Sequence, residues 1–276
     1  MPAPLRVVPT PVVGDLVAAR ILASIEAAAG RPFLLGCPTG RTPRPIFAAM
    51  GRRLGDSPMD LSGLVLVMMD EYLVPGARGL EWAPAERPWS CHHFARHEIL
   101  AQLNAWLPAE WRARESNVWF PDPTRPEEYD VRIADAGGVD LFLLASGASD
   151  GHVAFNPPGS PRESRTRVIP LSEETRRDNL QTFPSFGTLE TVPRHGVSVG
   201  VDTICRSKAA VMVATGAGKR QTVARMRAAT GYEPDWPATL IHECRAAQIV
   251  ADEEAAGPLP PGADNTFLTA RPGRTH

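Results

Sequence analysis

The sequence predicts an α/β protein built on a mostly parallel sheet. Short apolar, β-leaning runs recur at residues 33–35, 64–69, 118–120, 139–145, 197–201, 210–214 and 247–251. Stretches of helical period separate several of them, at 13–28, 45–53, 92–103 and 219–229. Strands that alternate with helices imply β-α-β units. Runs such as VDLFLLA at 139–145 are apolar at nearly every position, which suits strands covered by helices on both faces.

The remaining segments follow from this pattern. Residues 74–88 and 156–167 are rich in Pro, Gly and charge and are read as long loops of the kind that carry function beyond strand ends. Neither looks like a domain linker, because strand-like runs resume on both sides. Residues 1–257 are therefore read as one domain, and 258–276 as a poorly ordered tail. The chain has 276 residues, 43% hydrophobic and 22% charged, which is the composition of a globular protein with a full core. A net charge of -2 gives no reason for a nucleic-acid or anionic-membrane partner, so any anionic ligand needs a local site. The N-terminal MPAPLRVVPT lacks the regions of a secretory signal, and no apolar stretch is long enough to span a bilayer. Together with four scattered cysteines that form no C-x-x-C pair, this predicts a cytoplasmic protein with reduced thiols. A homo-oligomer is compatible with the sequence.

Four segments carry chemistry. In LLGCPTGRTPRPIF, an apolar run ends at Leu35 and a helix is expected to start near Pro43. Gly36 and Gly40 let the chain turn, and Thr39 or Thr42 can cap the helix, so the segment is either a phosphate cradle or only a tight strand-to-helix turn. In LVLVMMDEYLVP, Asp70 and Glu71 arrive at the end of an apolar run. A carboxylate there is either a partly desolvated general base or a strand-end acid capping a nearby helix. In VDLFLLASGASDGHVAFNPPGS, Asp150 lies two positions from His152 across Gly151, close enough to fix the tautomer of a proton-carrying imidazole. In AAVMVATGAGKRQTV, Lys219 stands at a helix start after Gly216 and Gly218, where its charge adds to the helix dipole. Lys219 and Lys208 are the only lysines of the chain. In the cluster His92, His93 and His97, the last two have the i, i+4 spacing of a zinc pair. No further ligand falls on the same face, so 92–103 is read as a lid helix and no metal site is expected.

At these four segments the sequence resembles the glucosamine-6-phosphate deaminase (isomerase) family. The matches are Pro38-Thr39-Gly40-Arg41-Thr42-Pro43, Met69-Asp70-Glu71-Tyr72 and the Asp150 to Asn156 stretch DGHVAFN, and weaker similarity covers roughly residues 31–256. The sister family of 6-phosphogluconolactonases shares the Asp-Gly-His turn. The resemblance implies a Rossmann-like three-layer α/β/α sandwich with no metal or nucleotide cofactor, acting on a small-molecule sugar phosphate. It further implies that Asp70 moves a proton between C2 and C1 of the open-chain sugar, that His152 opens the ring and that Asp150 orients His152. Lys219 and the Pro38, Thr39, Gly40, Arg41 and Thr42 loop would hold the phosphate, with Glu71 beside the substrate. Three positions depart from the family: Pro157 stands for a glutamate, Gln181 for a phosphate-gripping arginine and Ala148 for a glycine. Arg41, Arg44, Arg165 and Arg167 are the cations near enough in sequence to replace the missing charge. A lactonase and a non-catalytic sugar-phosphate-binding domain are the alternatives to an isomerising deaminase.

Overall fold

A computed structural model describes residues 2–77 and 79–259. Residues 260–276, most of the expected tail, lie outside the described residues. The chain runs β1 (Leu5–Val8), α1 (Thr10–Ala27), β2 (Phe33–Cys37), α2 (Arg44–Asp56), β3 (Leu64–Met68), β4 (Asp70–Gly76) and β5 (Gly79–Trp82). A continuous helical stretch follows: α3 (Cys91–Phe94), a π-helical turn at Ala95–Leu100 and α4 (Ala101–Asn104). Next come β6 (Val118–Trp119), α5 (Glu127–Asp135), β7 (Leu141–Ala145), β8 (Arg167–Pro170), α6 (Glu173–Thr182), β9 (His195–Ser198) and α7 (Val201–Cys205). The chain closes with β10 (Ala210–Ala214), α8 (Arg220–Ala228) and β11 (Ala247–Asp252).

Seven strands form one all-parallel sheet in the order β1-β11-β10-β7-β2-β3-β6. Successive strand residues face opposite sides. Leu35, Leu66, Leu143 and Val213 join α1 and α2 in one apolar cluster. Leu34, Val67, Phe142 and Met212 join α5, α7 and α8 in the other. The two clusters are the two interfaces of a three-layer α/β/α sandwich, which is why these runs are apolar throughout.

Four segments depart from the sequence reading. The expected strand 64–69 stops at Met68, because the Met69 N–H donates to the Cys37 carbonyl while the Met69 carbonyl accepts from Val199. The chain thereby crosses from the parallel sheet into a second, antiparallel one of order β5-β4-β9-β8. Much of the supposed loop 74–88 belongs to the β4–β5 hairpin of that sheet, whose Pro and Gly content hides it. The run 197–201 divides into the end of β9 and the start of α7. Finally, the stretch 92–103 is a core helix and not a lid, since Phe94, Ile99 and Leu103 are buried against the first apolar cluster.

Candidate active site

The turns after β2, β7 and β10 all leave the same edge of the parallel sheet, as expected for ligand sites in open α/β folds. With α6 and the start of β4 they enclose a cavity of about 490 Å³. Pro38, Thr39, Gly40, Arg41 and Thr42 form one wall, Asp70 and His152 another, and Lys219 with Gly218 a third. The cavity thus gathers most of the residues singled out in the sequence.

In the first wall, Gly40 adopts φ 101°, a left-handed conformation that suits glycine. The expected threonine cap is absent: no side chain caps α2. The Thr39 hydroxyl lies 3.7 Å from the Cys91 thiol instead.

Asp70 and Glu71 point to opposite sides of β4, as strand neighbours must, and their fates diverge. The Glu71 carboxylate is fully buried and accepts hydrogen bonds from the backbone of Tyr72, Cys91 and His92, and it pairs with His92 Nδ1 at 2.6 Å. It caps α3, so the expectation of a substrate contact by Glu71 is not met. The same bond commits His92 to structure. Asp70 lines the cavity and accepts the Cys91 thiol at 3.4 Å. Burial pushes its carboxyl up to about 7, against the Cys91 hydrogen bond that favours the anion. A carboxylate with that affinity exchanges protons near neutral pH.

The Asp150-Gly151-His152 turn is held by small residues at two tight places. A Cβ on Gly147 would lie 2.2 Å from His152 Nδ1, and one on Gly151, at φ 68°, would meet the Trp236 ring at 2.5 Å. Asp150 Oδ1 accepts the His152 backbone N–H at 3.1 Å and lies 2.6 Å from Nδ1. Asp150 is buried behind the histidine and takes further contacts from Ser172 at 3.4 Å and Thr175 at 3.5 Å. Burial raises its carboxyl, but the His152 and Ser172 bonds outweigh burial and leave it below the usual range. Pro157 and Glu163 do not line the cavity, and Pro157 opens a turn closed by Ser160. Ala148 is not at positive φ, so the family glycine there is not needed for the turn in this chain.

Lys219 stands just before α8 and donates to the Ser146 carbonyl. Burial lowers its ammonium to about 8, while the charge of Asp178 favours the cation. The other lysine, Lys208, pairs with Asp140 at 2.9 Å, away from the cavity. Of the four arginines considered as replacements, Arg41 lines the cavity, whereas Arg44 faces Glu98, Arg165 faces Asp130 and Arg167 binds Asn156.

One wall escaped the sequence reading. Asp178, Asn179, Gln181 and Thr182 of α6 all border the cavity. A charged helix segment, EETRRDNLQT, carries no apolar period that would mark a site-facing side, and only the Gln181 departure drew attention to it.

A desolvated acid and an oriented histidine on one wall of a polar, sugar-sized cavity are the arrangement of a small-molecule enzyme site and are suited to proton transfer. Residues 12–250 match the family model of glucosamine-6-phosphate isomerases and 6-phosphogluconolactonases, and the chain belongs to that family. A glucosamine-6-phosphate deaminase of Streptomyces avermitilis is 37% identical over 235 residues, 82% of this chain and 81% of its own length. One from Shouchella clausii is 33% identical over 225 residues, 80% of this chain and 84% of its own. Among solved structures, a monomeric glucosamine-6-phosphate deaminase aligns with a TM-score of 0.77 at 25% identity, covering 92% of this chain and 98% of its own. The 6-phosphogluconolactonase of Trypanosoma brucei aligns at 0.62 and 22% identity, over 93% and 98%, a likeness of fold alone.

Proposed function

We propose that this chain converts an amino-sugar phosphate, glucosamine-6-phosphate or a close analogue, into a ketose phosphate and ammonia. The observation that carries the reading is that Asp70 and His152 face one cavity that also receives Lys219. His152, oriented by Asp150, protonates the ring oxygen as the pyranose opens. Asp70 then takes the C2 proton and returns it to C1, and water displaces the nitrogen at C2 as ammonia. Lys219 and the Thr39–Gly40–Arg41–Thr42 turn hold the phosphate away from the reacting carbons. Residues 1–257 act as one domain in this reading, because the two sheets are joined through Met69 at the site itself. No helix among the described residues is long and apolar enough to cross a membrane, and the four buried free cysteines favour a reducing cytoplasm.

Incubation with glucosamine-6-phosphate in deuterated water tests the proposal directly. Ammonia release is expected together with deuterium at C1 of the ketose phosphate and, through reversal of the proton transfer, at C2 of the remaining substrate. Acid release from 6-phosphogluconolactone without either signal would move the assignment to the lactonase side, and binding with no turnover of either would make the chain a sensor domain.

Lys219→Ala is expected to raise KM by about 10–100-fold with a smaller change in kcat, because a remote phosphate supplies mainly binding and a charge-assisted contact is worth that much. An unchanged KM removes Lys219 from the phosphate site. Since its ammonium titrates near 8, wild-type KM should also rise as pH climbs above about 8, where the cation is lost.

A further inference from the structure

Asp178 has no part in the chemistry described so far, yet it borders the cavity. Its carboxylate, the Asp150 carboxylate and a ring nitrogen of His152 lie within 4.8 Å of one another. The side chain is fixed in place: Oδ2 accepts the Ala148 N–H at 3.1 Å and the Ser149 hydroxyl at 3.2 Å. Both bonds fall on Oδ2, so Oδ1 keeps its capacity to accept from a ligand. α6 carries Asp178 one turn beyond Thr175, whose hydroxyl lies 3.3 Å from His152 Nδ1. The acid therefore borders the cavity close to His152 and near enough to Lys219 for its charge to favour the ammonium.

The charged residues that border the cavity, besides His152, are the cations Arg41 and Lys219 and the acids Asp70 and Asp178. A site for a simple polyanion would have no use for the second acid. Burial pushes the Asp70 carboxyl up to about 7, whereas Asp178 is only half-buried and borders the ligand space. A fixed carboxylate attracts an ammonium or hydroxyl donors and repels another carboxylate.

We propose that Asp178 sets the charge selectivity of the cavity: it receives the amino group and neighbouring hydroxyl donors of the bound sugar and rejects ligands that carry a carboxylate as well as a phosphate. This deepens the amino-sugar phosphate reading and rests on it. It also gives a physical reason for this site to favour an amino sugar over an acidic sugar.

Asp178→Asn, which keeps shape and an acceptor for Ala148 while removing the charge, separates this from a structural role. Binding of 6-phosphogluconate and of glucitol-6-phosphate is measured by titration calorimetry, together with KM for glucosamine-6-phosphate. The variant should bind the carboxylate ligand about tenfold tighter relative to the neutral polyol, and should raise KM for the amino sugar about tenfold, as expected for one charge contact in a partly desolvated site. Opposite signs for the two ligands are something loosened packing does not produce. If both ligands weaken alike in a folded variant, or their ratio stays constant, the inference is wrong. Asp178→Ser repeats the measurement should the amide fail to fold. A wild-type protein that releases no ammonia would overturn the deaminase reading, while the ratio of the two binding constants would still decide the role of Asp178.

Discussion

Asp70→Asn should abolish deuterium exchange at C2 of glucosamine-6-phosphate, with a loss of at least about 10²–10⁴-fold and little change in binding. The amide keeps the shape and still accepts the Cys91 thiol, but it cannot take a proton. Exchange at the wild-type rate would eliminate Asp70 as the base. The wild-type rate should fall about tenfold per pH unit below about 7, because the carboxyl must be ionised to act and burial holds it protonated up to that point. The same burial makes the base a liability for the fold. A carboxyl raised from 3.8 to about 7 binds its proton more tightly folded than unfolded, so its contribution to stability is fully present below about 4 and is lost as pH rises to about 7. Asp70→Asn should therefore be more stable than wild type at pH 8, by up to about 4 kcal/mol, and the gain should shrink toward pH 4. Chemical denaturation at the two pH values measures this.

Asp150→Asn should lower turnover by about 10²–10⁴-fold while KM moves little, since Asp150 lies behind His152 and does not border the cavity. An amide in its place removes the negative charge that stabilises a protonated imidazole and offers an N–H where Nδ1 needs an acceptor. Ring opening should become the slow step. Following each anomer by NMR would then show consumption limited by ring opening. Turnover within threefold of wild type would show that Ser172 and Thr175 suffice to orient the histidine.

The cavity residues Asp70, His152 and Lys219 were legible in the sequence because each follows an apolar strand closely, His152 and Lys219 after small or turn-forming residues, a purely local pattern. Asp150, His152 and Lys219 follow β7 and β10, strands that are apolar at every position and so announce themselves. What was not legible depends on pairing at a distance. The antiparallel sheet brings β4 beside β9, 120 residues and more downstream, and its strands are short, broken by Gly and Pro, and without steady alternation. β1, an edge strand with two exposed positions, has too little apolar pattern to be read. Glu71 shows the limit within a single strand: adjacent acids in an identical local setting face opposite sides, and only the packing of α3 decides which one meets the cavity. α6 was invisible for the opposite reason, since just one of its ten residues is buried and the rest read as a solvated helix.

The placement of α6 also separates two inheritances. The Asp150-Gly151-His152 turn follows a strand of the parallel sheet, and an added Cβ at Gly147 or Gly151 collides with its surroundings, so that part of the site tolerates little drift. The face carrying Asp178, Asn179, Gln181 and Thr182 belongs to a polar helix with almost no core obligations. Among the described residues Asn179, Gln181 and Thr182 make no side-chain hydrogen bond to the sheet, to Asp70 or to His152, whereas Asp178 also holds Ala148 and Ser149 just before Asp150. A lineage built this way can change which sugar it accepts faster than it can change what it does to that sugar.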